Sequence, residues 1–319
     1  MRPLRRIAAL LALIALVLPV SGTAGAGPVT HDPCPGAHPT RQFVTGKGVL
    51  ENLLFDGKGN LYVTGDDQLR RYDAAGNETV LIEGVHLGGL AIGPDRALYL
   101  GIGNDIAESV RRTGSSAIWR VTRTNPLKYT VYAEGFDMAN GMWFDRAGNL
   151  YVSNDFGPGP VKIPRRNPSA WTVWGGQHGA NGIVVDPTGR YLDAALTFDQ
   201  ASRIVRIPLK DPSRARTIAA LSTGALTLEP GVHAPPYVGG PVMPQGLDDM
   251  TRDAKGNLYV AANGPAGALL KVDPKTGTAC VLADGLDLPS SVRFARAFGP
   301  DTGKLYVTQF GGAITVVTP

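Results

Sequence analysis

The chain has 319 residues, 43% hydrophobic and 18% charged, with 41 Gly and 25 Pro. That is globular composition, and it excludes a disordered chain, a coiled coil and, with no Gly-X-Y period, a collagen. The formal net charge of +4 belongs partly to one end: Arg2, Arg5 and Arg6, with no acid, fall in the first 26 residues and leave 28 basic against 27 acidic residues beyond them. No basic stripe remains for a nucleic-acid partner.

Residues 1–26 carry the pattern of a secretory signal. A basic start is followed by the apolar stretch Ile7 to Val20, then by Ala24-Gly25-Ala26 as a small-residue cleavage site. The stretch is short for a membrane span. The expectation is cleavage, a mature chain from near Gly27, and a secreted, extracytoplasmic protein with no membrane contact after cleavage. The alternative is an uncleaved anchor. Residues 27–45 read as a segment leading into a closing strand. They hold Cys34, one of only two cysteines; the other is Cys280. In an exported chain such a pair can form a disulfide, here tying the N-terminal segment to the far end of the chain; two buried thiols are the plainer alternative.

From residue 46 onward one phrase recurs six times: LLFDGKGNLYVTG (53–65), LAIGPDRALYLGIG (90–103), MWFDRAGNLYVSN (142–154), IVVDPTGRYLDAA (183–195), MTRDAKGNLYVAA (250–262) and VRFARAFGPDTGKLYVT (292–308). Its Asp-x-x-Gly centre is turn chemistry, with Gly supplying the positive φ, and its flanks are rich in Val, Leu, Tyr and Phe, as strands are. Further strand-like pieces follow at 68–76, 117–124, 203–209 and 269–277. A repeat of roughly 40 to 60 residues with about four strands is a propeller blade. The predicted fold is all-β, a six-bladed β-propeller over 46–319. A β-sandwich fits less well, because one phrase recurs so regularly. Two stretches break the rhythm: the polar 104–116, and the Gly/Pro-rich 223–245 with His233 and Tyr237, which has the length of a lid or site wall.

The sequence holds no Gly-x-Ser-x-Gly elbow, no His-Glu-x-x-His, no Cys-x-x-Cys and no P-loop or dinucleotide fingerprint. Aligned on the Asp that opens each turn, however, the repeats place polar residues at one register. Glu51, Asn140, Asn181 and Asp248 each precede their turn Asp by five residues, just before the inner strand of blades one, three, four and five. Blades two and six carry Gly88/Gly89 and Leu288/Pro289 in that region. Equivalent positions on radial blades converge on the axis, where carboxylates and amides need pairing or a metal. All four offer oxygen, the donor of calcium, magnesium or manganese sites. Taken singly, each has a plainer reading, as a turn Asn before Gly or a strand-end cap.

On these motifs the chain, from about Gly46 onward, resembles the gluconolactonase / regucalcin (senescence marker protein) / luciferin-regenerating enzyme family. The resemblance implies that Glu51 in Glu-x-x-x-Phe-Asp, Asn181 in Ala-Asn-Gly-Ile and Asp248 in Leu-Asp-Asp-Met bind one divalent metal. Calcium is expected first, with zinc, magnesium and manganese as alternatives. It implies that Asn140 lies on the substrate side. Three positions depart from the family pattern: Met138 replaces an Arg, Gly141 replaces an Asp, and Asp249 follows Asp248 where the family has Gly. The first two leave a site less suited to sugar hydroxyls; the third leaves open which of Asp248 and Asp249 faces the metal, with the register favouring Asp248. The expected function is a metal-dependent hydrolase that opens a lactone or related ester of a small-molecule substrate, with Asp248 also catalytic, and Asn140 and His178 holding substrate. A monomer is expected. The alternative is a non-catalytic secreted platform with a structural ion.

Overall fold

Each copy of the repeated phrase folds as the hairpin between the first two strands of a four-stranded antiparallel sheet. In the first copy Leu53–Phe55 pairs with Leu61–Gly65, Leu53 opposite Val63. The turn residues explain themselves. The Asp56 carboxylate accepts hydrogen bonds from the Asn60 amide side chain at 2.8 Å and from the backbone N–H groups of Lys58 and Asn60, and Gly59 takes φ +88°. The same Asp–Asn clamp recurs at Asp145/Asn149 and Asp253/Asn257. These acids hold turns and are not free for chemistry.

The structure, a computed structural model, describes residues 31–319 except 85, 125, 200, 223–244 and 265–266. The expected signal segment 1–26 and the stretch 223–244, with His233 and Tyr237, lie outside the described residues. Six such sheets make the six-bladed propeller. The innermost strands of blades one to six are Leu53–Phe55, Leu87–Ile92, Met142–Phe144, Ala180–Val185, Leu247–Arg252 and Pro289–Phe294. The polar stretch 104–116 contains a short helix, Ile106–Arg111, which was not expected. The Asp105 side chain caps it by accepting from the Glu108 N–H, and Arg112 ends it in the left-handed region. Among the described residues no helix is long and apolar enough to cross a membrane.

The ring closes through the N-terminus. The outermost strand of blade six is Thr40–Val44, paired with the C-terminal strand Ile314–Val317. Phe43 on that strand packs edge-on against Tyr72, Phe298 and Tyr306, with centroids 5.1–6.0 Å apart, and Phe55 joins the same cluster between blades six and one. Edge-to-face pairs of this kind add stability beyond their buried area. Just upstream, Cys34 is disulfide-bonded to Cys280 in the outer strand of blade five, Ala279–Ala283. The backbones of Cys34 and Asp32 also bond to Val281. Hydrophobic burial between blades accounts for most of the core, and the seam between blades four and five also holds a buried ion cluster. Asp193, fully buried, receives both Arg206 and Arg252 between blades four and five, which satisfies a charge that would otherwise be costly to bury.

Candidate functional site

The inner strands do not run straight into the axis. In blades two, four, five and six the pairing of the inner strand slips, between Leu87 and Leu90, Ala180 and Ile183, Leu247 and Met250, and Pro289 and Ser291. Such bulges release a residue from the ladder and re-aim side chains. They fall at the register that the sequence singles out. Blade two contributes Gly88 there. Blade six contributes Ser290, one residue beyond the Leu288/Pro289 pair noted in the sequence. The ring around the axis is thus Glu51, Gly88, Asn140, Asn181, Asp248 and Ser290.

Glycine after the axial residue lets neighbouring blades meet. A Cβ on Gly89 would lie 1.5 Å from the Asn140 carbonyl oxygen, one on Gly141 2.3 Å from the Asn181 carbonyl oxygen, and one on Gly182 2.5 Å from that of Asp248. None of these glycines has a positive φ. They are there for close backbone approach, not for a turn. Hydroxyl side chains brace the seam between blades four and five as well as the two seams on either side of blade one: Thr197 donates to the Leu247 carbonyl at 2.5 Å, Thr64 to Gly88 at 2.7 Å and Ser290 to Leu50 at 2.8 Å. The axial residues are therefore held by rigid backbone on both sides.

Within this ring Asp248 is the hub. Its Oδ1 accepts from the Asn181 amide at 2.7 Å and its Oδ2 from the Asn263 amide at 2.8 Å. Asp248, Asn181 and Asn140 are buried and Glu51 is half-buried. The adjacent Asp249 turns the other way. It accepts from Ser291 at 2.5 Å and from Asn52 at 3.2 Å, and pairs with Arg293 at 2.6 Å. Of the two aspartates, Asp248 faces the amides of the axis and Asp249 is tied into the wall.

The site also contains an acid that the alignment on turn residues does not pick out. Asp155, in the loop after the second strand of blade three, is buried, and its Oδ2 accepts from the Asn140 amide at 3.3 Å. It lies fifteen residues beyond Asn140 in the chain, on a strand-end loop where no repeat predicts chemistry. Asn263 on blade five was missed for the same reason. His178 is exposed on the loop before Asn181, with Nδ1 3.2 Å from the Gly157 carbonyl oxygen. It stands at the rim, beside the loop that carries Asp155, and not among the buried groups.

Gathering the acids raises their proton affinity. Burial first, then the charge of Asp249, pushes the Glu51 carboxyl up to about 7 against a hydrogen bond from Asn140. Asp248 is raised well above its ordinary value by burial and then by Glu51, Asp155 and Asp249, and Asp155 by burial and then by Glu51. Like charges in a desolvated space cannot all ionise without compensation. Several buried acceptors here also lack partners: Asn181 Oδ1, Asp155 Oδ1, Asn154 Oδ1 and Asn52 Oδ1. Among the described residues no group of three His, Cys, Asp or Glu side chains is gathered as a metal cluster; the axial donors are acids interleaved with amides. Two aromatic rings, Phe156 next to Asp155 and Phe198 next to Thr197, stand 5.4 Å apart by the same loops. Met138, two residues before Asn140, is buried and apolar.

No family model and no curated protein matches the sequence. Solved structures do match the fold. A gluconolactonase from Xanthomonas campestris superposes with a TM-score of 0.65 at 15% identity, over 93% of this chain and 99% of that one. The luciferin-regenerating enzyme gives 0.60 at 16% identity, over 89% and 96%. An auxiliary nutrient binding protein from Bacteroides thetaiotaomicron gives 0.63 at 13%, over 85% and 69%. The architecture is similar to that of the gluconolactonase and luciferin-regenerating propellers, the same group that the axial motifs resemble.

Proposed function

We propose that the protein is a metal-dependent hydrolase that opens a lactone or related ester at the propeller axis. The observation that carries this reading is the set of partnerless buried oxygens beside raised carboxylates: Asn181 Oδ1 has no donor while its own amide is spent on Asp248. A buried acceptor without a donor is costly, and acids interleaved with amide oxygens are the donors of hard divalent cations. The residues present therefore fit such an ion. Glu51, Asn181 and Asp248 would hold it, calcium first.

When bound, a divalent ion supplies Lewis-acid polarisation of an ester carbonyl and makes water more acidic. The chain's own groups do the rest. Asp248, fixed by Asn181 and Asn263, orients the attacking water and takes its proton. Asn140, whose amide faces Asp155 and Glu51, holds the acyl oxygen side of the substrate, and rim-standing His178 contacts its distal part. With buried, apolar Met138 where a sugar lactone needs a polar partner, the ester is one of low polarity. The signal pattern and the Cys34–Cys280 bridge support export to an oxidising compartment.

A second reading is a non-catalytic binding platform with a structural ion. The apolar Met138, two residues before Asn140, favours it. Hydrolysis of a panel of lactones and aryl esters by the purified mature protein decides between them, run with EDTA and with calcium, magnesium, manganese or zinc restored. Chelator-sensitive turnover supports the hydrolase. Cation binding with no turnover across the panel supports the platform.

A further inference from the structure

Six aspartates are buried among the described residues: Asp155, Asp186, Asp193, Asp248, Asp249 and Asp301. Five of them have donors on both oxygens. Asp186 is held by Thr188 and the backbone of Arg190 and Tyr191, Asp193 by two arginines, and Asp301 by Lys304, Tyr306 and Arg41. Asp248 has its two amides, and Asp249 has Met250 N–H on one oxygen and Ser291, Asn52 and Arg293 on the other. Asp155 is the exception. It is only 7% exposed, yet Oδ1 has no partner while Oδ2 takes the Asn140 amide. An acid that merely braced its loop would turn both oxygens to donors, as the other five do.

The loop that carries Asp155 is closely folded. Gly157 lies so close to Asn154 that a Cβ there would meet its amide nitrogen at 2.0 Å. Asn154 folds against Gly157, and its Oδ1 is likewise left bare. The unspent oxygen of Asp155 and that of Asn181 belong to residues held by two axial partners, Asn140 and Asp248. We propose that Asp155 is a further ligand of the axial cation, its Oδ1 joining the oxygens of Glu51, Asn181 and Asp248. This inference rests on the reading of the axis as a cation site. The donor set would be three carboxylates and one amide; Glu51, Asp155 and Asp248 are not gathered as a three-acid group here, so they would draw together on the ion, and the higher ligand charge favours a calcium-sized or trivalent ion over a smaller one that keeps its water.

The test uses the purified protein, stripped with chelator and titrated with calcium by calorimetry, alongside Asp155→Asn and Asp155→Ala. Terbium luminescence lifetimes in H2O and D2O count the waters left on the bound ion. The expected result is calcium affinity at least about tenfold weaker in both variants, with about one additional water on terbium in Asp155→Ala. Thermal melts in chelator confirm folding, and Asp155→Asn, which removes a crowded charge, should melt no lower than the parent. Wild-type affinity and water count in folded variants would overturn the assignment while leaving the cation site standing. Weaker affinity with an unchanged water count would also overturn it, since Asp155 would then act only through its charge. A parent protein that binds no divalent cation would overturn the reading of the axis itself.

Discussion

Asn181 donates its side-chain amide to Asp248 Oδ1 at 2.7 Å across the seam between blades four and five, which turns its own oxygen away without a partner. One hydrogen bond thus fixes both the direction of the acid and the presentation of the amide oxygen. Replacing Asn181 by Asp would put a second charge against Asp248, whereas Asn181→Ala would remove the donor and the free oxygen together. Asn181→Ala should weaken calcium binding by about 10-fold or more, while Asn181→Asp, which keeps a donor oxygen but crowds Asp248, should lower stability in chelator. The Ala variant should leave the fold cooperative, because the backbone contact of Gly141 with the Asn181 carbonyl is kept. Calcium titration and a thermal melt of each variant check this.

The two adjacent aspartates should fail in different ways. Asp248→Asn should abolish cation-dependent turnover, about 100-fold or more if Asp248 is both ligand and base, while altering stability little in chelator. Asp249→Ala should instead destabilise the fold by about 3–5 kcal/mol, because it strands Arg293, 8% exposed, without its counter-charge. Urea melts in EDTA separate the two. Equal stability losses would show that the axis and the wall are not distinct.

The axial acids set a pH signature. Glu51 has a folded value of about 7 against an ordinary 4.5, and Asp248 and Asp155 are shifted in the same direction. A carboxyl raised on folding binds more protons in the native state. Its contribution is therefore fully present below the unfolded value and is lost as pH rises through the folded one. Acids held low work oppositely. Asp301 keeps its charge although burial opposes it, through Lys304, Tyr306 and Arg41, and its contribution is lost as pH falls below the ordinary value. The cation-free protein should thus lose stability as pH rises from about 5 to about 7.5, and saturating calcium should flatten or reverse that slope. Melting temperatures against pH, with EDTA and with calcium, give the answer. A flat profile in EDTA would sink the account of the axial charges.

Much of this was legible from the repeats. The six-bladed ring follows from one recurring phrase and its turn, which reads Asp-x-x-Gly in four of the six copies and is legible because a clamp such as that of Asp56 on Asn60 is purely local. The axial register was legible because a closed ring converts equal sequence position into spatial convergence, which is how Glu51, Asn140, Asn181 and Asp248 could be chosen. Asp155 and Asn263 were not legible. They sit on strand-end loops, whose course depends on the neighbouring blade and not on the repeat. The role of Gly141 was obscured in the same way. Compared with a family motif it looks like a lost polar group, but its Cβ position is filled by the Asn181 carbonyl of the next blade. The choice between Asp248 and Asp249 needed the bulge, which lets consecutive residues face different partners.

Gly182 tests that seam directly. Its Cβ position lies within 2.5–2.7 Å of the Asp248 carbonyl oxygen, the Asp249 Cα and the Met250 nitrogen, all backbone, and backbone cannot swing aside as a flexible side chain can. Gly182→Ala should therefore part blades four and five at the axis. The expected cost is about 1–3 kcal/mol of overpacking, together with weaker calcium binding, since Asn181 and Asp248 lie on the two sides of the seam. A variant with parent stability and parent affinity would show that the inner strands adjust more freely than the close approach implies.

The disulfide should act on the closure of the ring and not on its axis. Cys34 holds the N-terminal segment to the outer strand of blade five, immediately before Thr40–Val44 completes blade six. The loop it closes is long, at a sequence separation of 246, so most of its effect falls on the unfolded chain, at about 2–5 kcal/mol. Glu51, by contrast, is set by its own hairpin, through its N–H to the Thr64 carbonyl at 2.8 Å. Cys34→Ser/Cys280→Ser should lower the melting temperature and speed amide exchange in Thr40–Val44 while leaving calcium affinity at the parent value. If affinity falls with stability, closure and axis are coupled through blade six, where Ser290 donates to the Leu50 carbonyl at 2.8 Å, and the ring would have to be treated as one mechanical unit.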